Sequence, residues 1–422
     1  MADPWGSPLA AELADDVLDR FVRYARIDTQ AARESDTYPS TLKQLELSRL
    51  LAEELRGLGL EEVELTTHGY VFATLPAVGV EGGPTVGLLA HVDTSPDAPA
   101  AGVDPQLWRD YDGGEIVLPG DPAKVLSPAA QPRLAERIGH DIVTSDGTTL
   151  LGADDKAGVA EIMAATAWLL AHPDLPRARA RIAFTVDEEV GHGTDHFDLE
   201  QFGADFAYTL DGEVVGEIEN ETFSAIELKV TFHGVGVHPG LAKGKLVNPI
   251  KLAARFVESL PQGALSPETT EGREGFVHPF QVVGGADSAT ITLILRDHDA
   301  EKLERYYELA RQLAEAAIAD EPRARVTFSR WDQYRNMREA LDRVPRVVEA
   351  AVEATRRAGL EPTLASIRGG TDGSRLTEMG LPTPNLFTGG NLFHSVLEWV
   401  TVQDMAISAA TVIELLKLLA ES

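Results

Sequence analysis

The sequence predicts an α/β protein with a largely parallel sheet, interrupted by an inserted ferredoxin-like domain. Three observations carry this expectation. Short apolar runs of strand character alternate with helical patterns from Leu9 to Leu210, and the same alternation resumes after Leu341. Between these two stretches the pattern changes to β-α-β-β-α-β, the order of a ferredoxin-like module. Finally, 422 residues exceed what a single hydrophobic core usually serves. The expected organisation is a discontinuous larger domain, 1–220 and 332–422, with an insert at 221–331.

Taken in order, Leu9–Ile27 and Thr41–Leu58 carry apolar residues at helical spacing. Thr85–His91 (TVGLLAH) follows Gly-Gly-Pro and reads as a buried strand. Ala157–Leu170 is an Ala-rich helix, and Arg181–Val186 and Phe206–Leu210 are strands. In the insert, Ser224–Phe232 alternates apolar and polar residues as a strand does. Asn248-Pro249 supplies an N-cap followed by Pro at the first helical position, which predicts a helix to about Leu260. Phe276–Val283 and Ser288–Leu295 are two strands joined by turn residues, Asp299–Ala317 is a helix, and Arg325–Phe328 a closing strand. The resumed pattern gives a helix from Leu341 to about Ala358, a short one at Ser374–Met379, a strand at Asn385–Phe387 and a last helix after Val402.

Charge and composition exclude several function classes. There are 67 acidic against 37 basic side chains, a formal net charge of −30. Such a field repels phosphate backbones and anionic lipid, so neither nucleic acid nor a membrane surface is an expected partner. With no cysteine in the chain, disulfides and thiolate ligands are excluded, and any zinc must be held by His, Asp and Glu. MADPWGSPLAAELADD lacks the basic and apolar regions of a signal peptide, and no run of about 18 apolar residues is present, so a cytoplasmic location is expected.

The residues able to do chemistry cluster at expected strand ends. His91-Val92-Asp93 follows the TVGLLA run; residues two apart on extended chain share a side, so a carboxylate there can fix the ring of a ligating His. Taken alone, His91 reads first as a strand-end residue in a loop. Gly152-Ala153-Asp154-Asp155-Lys156 precedes a helix, where acids commonly act as caps. Asp187-Glu188-Glu189 is harder to explain that way, because three consecutive carboxylates at a strand end repel one another unless cations or water hold them. Asp211 ends another strand, and His394 lies in the Gly-rich loop GGNLFHS. Each signal is weak by itself. Together they offer two imidazoles and three carboxylates, plus a spare Glu and a spare Asp, a hard-ligand set suited to a two-metal hydrolytic site.

In this order and spacing the residues resemble the co-catalytic zinc exopeptidases related to glutamate carboxypeptidase. LLAHVDTSPD, LLGADDKAGVAEI, FTVDEEVGHG, GVHPGLAKGKLVNPI and IRGGTDGSRLTEMGLPTPNLFTGG bring the likeness nearest to the tripeptide aminopeptidases of that family. The resemblance implies an α/β/α catalytic domain with the insert as a lid or dimerisation domain, hence a homodimer through the insert. It implies two Zn²⁺ per subunit: Asp154 bridges them, His91 and Asp211 complete one site, and Glu189 and His394 the other. It also makes Glu188 the general base, Asp93 the partner of His91, and the Asp154–Asp155 peptide cis.

His238, in VHPG, resembles the family's donor to the developing oxyanion, acting after domain closure or from a partner subunit. Arg296 and Arg368 are candidates for the substrate carboxylate, and Asn248 for a further polar contact. Asp372 is assigned to loop stability. His192 and His196 lie four apart, yet Gly-Thr-Asp between them lacks the Glu that a helical zinc motif requires, so neither is a ligand. The expected activity is release of the N-terminal residue from short peptides, chiefly tripeptides. A deacylase or dipeptidase acting on N-acyl amino acids or dipeptides through the same metal chemistry is the alternative.

Overall fold

The computed structural model describes residues 5–80 and 82–421. Residues 1–4, part of the stretch read above for a signal peptide, lie outside the described residues. The chain divides into two compact units: Met1–Asn220 with Ala340–Ala365 and Thr371–Ser422, and Glu221–Glu339 with Ser366–Gly370. The short second piece of the smaller unit, which carries Arg368, had no signature in the sequence.

The larger unit is built on an eight-stranded sheet. Its order is Glu61–Leu65, Val71–Leu75, Arg179–Thr185, Thr85–His91, Phe206–Gly212, Asn385–Phe387, Glu217–Thr222 and Thr363–Ile367. Only the middle run, from Arg179–Thr185 to Asn385–Phe387, is parallel. The hairpin Glu61–Leu65/Val71–Leu75 and the strand Glu217–Thr222 pair antiparallel, so the sheet is mixed rather than largely parallel. The parallel strands Thr85–His91 and Arg179–Thr185 are buried along nearly their whole length, whereas the edge strand EEVEL is mostly exposed and its charged sequence lacks the apolar run of a buried strand.

Helices Pro8–Ala25, Ala153–Ala171, Arg346–Arg357 and Val402–Ala420 pack on one another around a single core that includes the central strands. Ala153–Ala171 and Val402–Ala420 are apolar nearly all round because they are buried nearly all round. The helix expected over 341–358 is instead two, Arg338–Asp342 and Arg346–Arg357, because Pro345 lacks an N–H and biases Val344 away from helix.

In the smaller unit the strands Ser224–His233, Phe276–Gly284, Ser288–Asp297 and Arg325–Tyr334 form an antiparallel sheet. Numbered along the chain, their spatial order is 2-3-1-4. Helices Pro249–Ser259 and Ala300–Ile318 cover it and close a separate core. Asn248 caps the first of these helices through its side-chain oxygen, and Asp299 caps the second.

Two buried features of the larger unit have measurable consequences. A Cβ at Gly158 would lie 2.2 Å from the Leu210 carbonyl oxygen, so the helix backbone touches the strand that carries Asp211. Gly158→Ala gains about 1 kcal/mol of helix propensity, but the clash costs roughly 1–3 kcal/mol. The variant is expected to melt below the wild type in a thermal scan.

Glu161 is fully buried and meets Ser408 Oγ at 2.6 Å, while the same hydroxyl lies 2.8 Å from the Phe387 carbonyl. One hydroxyl proton cannot serve both acceptors, so a protonated Glu161 donating to Ser408 completes the chain. Burial pushes the Glu161 pKa well above its ordinary value of 4.5 and Asp404 adds to the rise, whereas Ser408 opposes it only where its hydroxyl donates to the ionised carboxylate. The folded state therefore holds a proton that the unfolded state releases, and stability falls as pH rises above that value. Glu161→Gln should match the wild type in urea unfolding near pH 4 and exceed it by roughly 1–3 kcal/mol near pH 8.

Candidate metal centre

The centre lies at the carboxyl ends of three adjacent parallel strands, where α/β proteins place ligands. His91 is the last residue of its strand and pairs with Thr185, the last of the neighbouring strand. Asp187, Glu188 and Glu189 follow Thr185 after one residue, Val186, and Asp211 lies near the end of the strand on the other side. Asp154 and Asp155 open the helix Ala153–Ala171 without helical dihedrals, and the peptide bond between them is cis. His394 comes from the loop after Asn385–Phe387, at φ 60°.

These residues form two groups that share Asp154. In one, His91 Nε2 lies 3.0 Å from Asp154 Oδ1 and 3.7 Å from Asp211 Oδ1. In the other, His394 Nε2 lies 3.2 Å from Asp154 Oδ2 and 2.9 Å from Glu189 Oε2. Within each group one ligand atom per residue falls inside 4.8 Å of the others, as a common ion requires. The donors fit a divalent cation: imidazole nitrogen and carboxylate oxygen only, with Glu189 Oε1 buried and unpartnered.

Around them, a set of buried acids is satisfied by backbone N–H groups. Asp93 accepts from Glu188 N and Glu189 N at 3.1 Å each. His91 Nδ1 lies 3.1 Å from the Asp93 carbonyl and 3.4 Å from its Oδ1, so Asp93 meets both ends of the site. Asp155 Oδ2 accepts from His91 N. Asp187, at φ 60°, accepts from Ser40 N and Gln44 Nε2 at 2.6 Å each. Asp97 Oδ2 is 3.5 Å from His394 Nδ1 and also pairs with Arg33.

The electrostatics follow from burial and crowding. Burial, then Asp211, raises Glu188 well above the usual carboxylate range. Burial, then Asp154, raises Glu189 to about 8. Burial disfavours charge on the two imidazoles, but Asp154 and Asp211 outweigh it at His91, and Asp154 and Glu189 at His394, which rises to about 11. Asp154 stays low despite burial because His394 and His91 both bond to it. Asp372 accepts from Thr185 Oγ1 and is pushed up to about 7, first by burial.

A model of the peptidase dimerisation domain matches residues 220–322. Peptidase T of Geobacillus thermodenitrificans is 46% identical over 406 residues, covering 96% of this chain and 98% of that one. The chain belongs to the peptidase T family. Among solved structures, the family's fold is seen in aminopeptidase PepT from Bacillus cereus, with a TM-score of 0.71 at 24% identity over 96% of this chain and 99% of that one. A tripeptidase from Staphylococcus aureus superposes with a TM-score of 0.75 at 22% identity, over 97% and 99% of the two chains.

Seven residues named from the sequence meet in this one centre: His91, Asp93, Asp154, Glu188, Glu189, Asp211 and His394. The other four, His238, Asn248, Arg296 and Arg368, belong to the smaller unit. His238 is exposed, and its Nδ1 accepts from Gly240 N. Asn248 serves as the helix cap already described. Arg296 donates to the Arg368 carbonyl, Arg368 donates to Thr270 and Glu274, and both keep a buried Nε without a partner. His192 pairs with Asp195, and His196 stacks on His68.

Sequence reasoning missed Glu398. It is buried, accepts from three backbone N–H groups beside Asp154, and is pushed up to about 7 by burial against those bonds. Its signal was available: it is the one charged residue between His394 and Asp404, in an apolar stretch.

Asp93→Asn tests the backbone-donor arrangement. Either orientation of the amide turns an NH₂ group toward one of the two donors. A loss of about 1–3 kcal/mol is expected in urea unfolding of the metal-free protein.

Proposed function

We propose that this chain is a two-zinc aminopeptidase that releases the N-terminal residue from short peptides, chiefly tripeptides, with Glu188 as general base. The observation that carries the reading is the Asp154 carboxylate, whose two oxygens face two separate His–carboxylate groups. In a member of the peptidase T family, His91 and Asp211 would hold one ion, His394 and Glu189 the other, and Asp154 would be shared by both groups. Bound zinc supplies Lewis acidity and brings the pKa of water from 15.7 down to about 7.

The chain's own groups then manage the proton. Glu188 takes it from the attacking water and hands it to the leaving amine, a transfer that requires a carboxylate able to hold a proton near neutrality. Asp93 anchors the backbone of Glu188 and Glu189 and faces the far nitrogen of His91, so base and ligands keep one relative orientation. His238 is assigned to the developing oxyanion, Arg296 and Arg368 to the substrate carboxylate, and Asn248 to a further polar contact. The unit matching the dimerisation domain is assigned to pairing of two copies.

The test compares a free tripeptide with matched dipeptide, tetrapeptide, N-acetyl-tripeptide and N-acyl-amino-acid substrates, with and without chelator. Chelator-sensitive release of the first residue, fastest from the free tripeptide, is expected. Preference for the N-acyl substrates would move the chain to deacylase chemistry. Glu188→Gln should retain two ions per subunit by elemental analysis while kcat falls on the order of 10²–10⁴-fold. Retained turnover would remove Glu188 from the mechanism.

A further inference from the structure

We propose that Glu398 is a positioning residue that sets the bridging Asp154 and the His394 loop in a single geometry. The inference rests on the two-metal reading above. Glu398 is 1% exposed. Its Oε2 accepts from Leu151 N at 2.8 Å and Gly152 N at 2.7 Å, and its Oε1 accepts from Asp154 N at 3.0 Å. All three donors belong to the turn that delivers Asp154, where Gly152 holds φ +82°. Three main-chain bonds to one side chain therefore fix the backbone direction from which the Asp154 carboxylate departs.

The same residue belongs to the loop that delivers His394. That loop is clamped at its base by paired bonds between Asn391 and Trp399 at 2.8 and 3.1 Å. Glu398 sits next to the clamp, and its own N–H donates to the Ser395 carbonyl at 3.2 Å, closing the turn that follows His394. His394 has φ 60°, a conformation that a non-glycine side chain holds only when its surroundings fix it. The side chain of Glu398 thus closes one ligand turn while its backbone closes the other. Asp154 Oδ2 and His394 Nε2, 240 residues apart in sequence, end 3.2 Å from each other.

A carboxylate that merely fills a buried space would affect folding and leave the ligands' relative placement alone. Metal affinity of the metal-free protein separates the two roles, because outer partners of ligands usually govern about 10–100-fold in affinity. Glu398→Gln keeps the size and turns an NH₂ group toward at least one N–H donor. Zinc would be titrated calorimetrically into metal-free wild type, Glu398→Gln and Glu161→Gln, the last a buried carboxyl that bonds to no ligand turn. The expected result is two sites in all three, weakened about 10–100-fold in Glu398→Gln only, with kcat lowered more than KM is raised.

Wild-type affinity and kcat in Glu398→Gln would overturn the proposal, as would an equal loss in Glu161→Gln. Should Glu398→Gln not fold, Glu398→Asp takes its place, keeping the charge with a shorter reach. The same weakening of zinc binding and of kcat is then expected, and wild-type values would again overturn the proposal. A wild type that takes up fewer than two ions would overturn the two-metal reading and this inference together.

Discussion

The structure depends on how it handles buried negative charge around Asp154. Asp154, Asp155, Glu188, Glu189 and Asp211 converge on a space into which the imidazoles of His91 and His394 also turn. Removing an ionised carboxylate from water costs several kcal/mol unless hydrogen bonds or opposite charge replace the lost hydration. Two kinds of acid result. Asp93, Asp155, Asp187 and Glu398 take backbone or side-chain donors and stay with the scaffold. Asp154, Glu189 and Asp211 turn oxygens toward the imidazoles, which is the arrangement a pair of cations completes.

The fold supplies the donors for the first kind. At the carboxyl ends of the parallel strands Asp93 takes the N–H groups of Glu188 and Glu189 and Asp155 takes that of His91, while the turn before the helix Ala153–Ala171 gives three N–H groups to Glu398. The Thr185 hydroxyl holds Asp372, and the residues just beyond it include Glu188 and Glu189, the proposed base and a proposed ligand. The helix Ala153–Ala171 begins only after Asp155, so Asp154 leaves a non-helical backbone whose direction is set from outside the helix. His91, Glu189 and Asp154 each have a backbone N–H held by a neighbouring carboxylate, of Asp155, Asp93 and Glu398 respectively.

Much of this was legible in the sequence, for identifiable reasons. His91 stood out because TVGLLA is too apolar and too short to be anything but a buried strand, and a strand must end. Asp187-Glu188-Glu189 stood out because adjacent acids after such a run need a partner. The ferredoxin-like unit was readable from the Asn-Pro helix start and from two strands separated by turn residues. What could not be read was whatever depended on distant contacts. The anchoring of Asp187 by Ser40 and Gln44 spans more than a hundred residues and leaves no local trace. The charged edge strand Glu61–Leu65 lacks the pattern of a buried one, and its pairing rests on a neighbour rather than on its own sequence. Pro345 was visible, but its break within an otherwise periodic helix was overridden by the pattern around it.

The central claim, that Asp154 joins two metal sites, is tested most directly by anomalous diffraction at the zinc edge from crystals grown with zinc. The account predicts two peaks per subunit, one on each side of the Asp154 carboxylate, the first beside His91 and Asp211 and the second beside His394 and Glu189. A single peak, or two peaks that do not share Asp154, would contradict it.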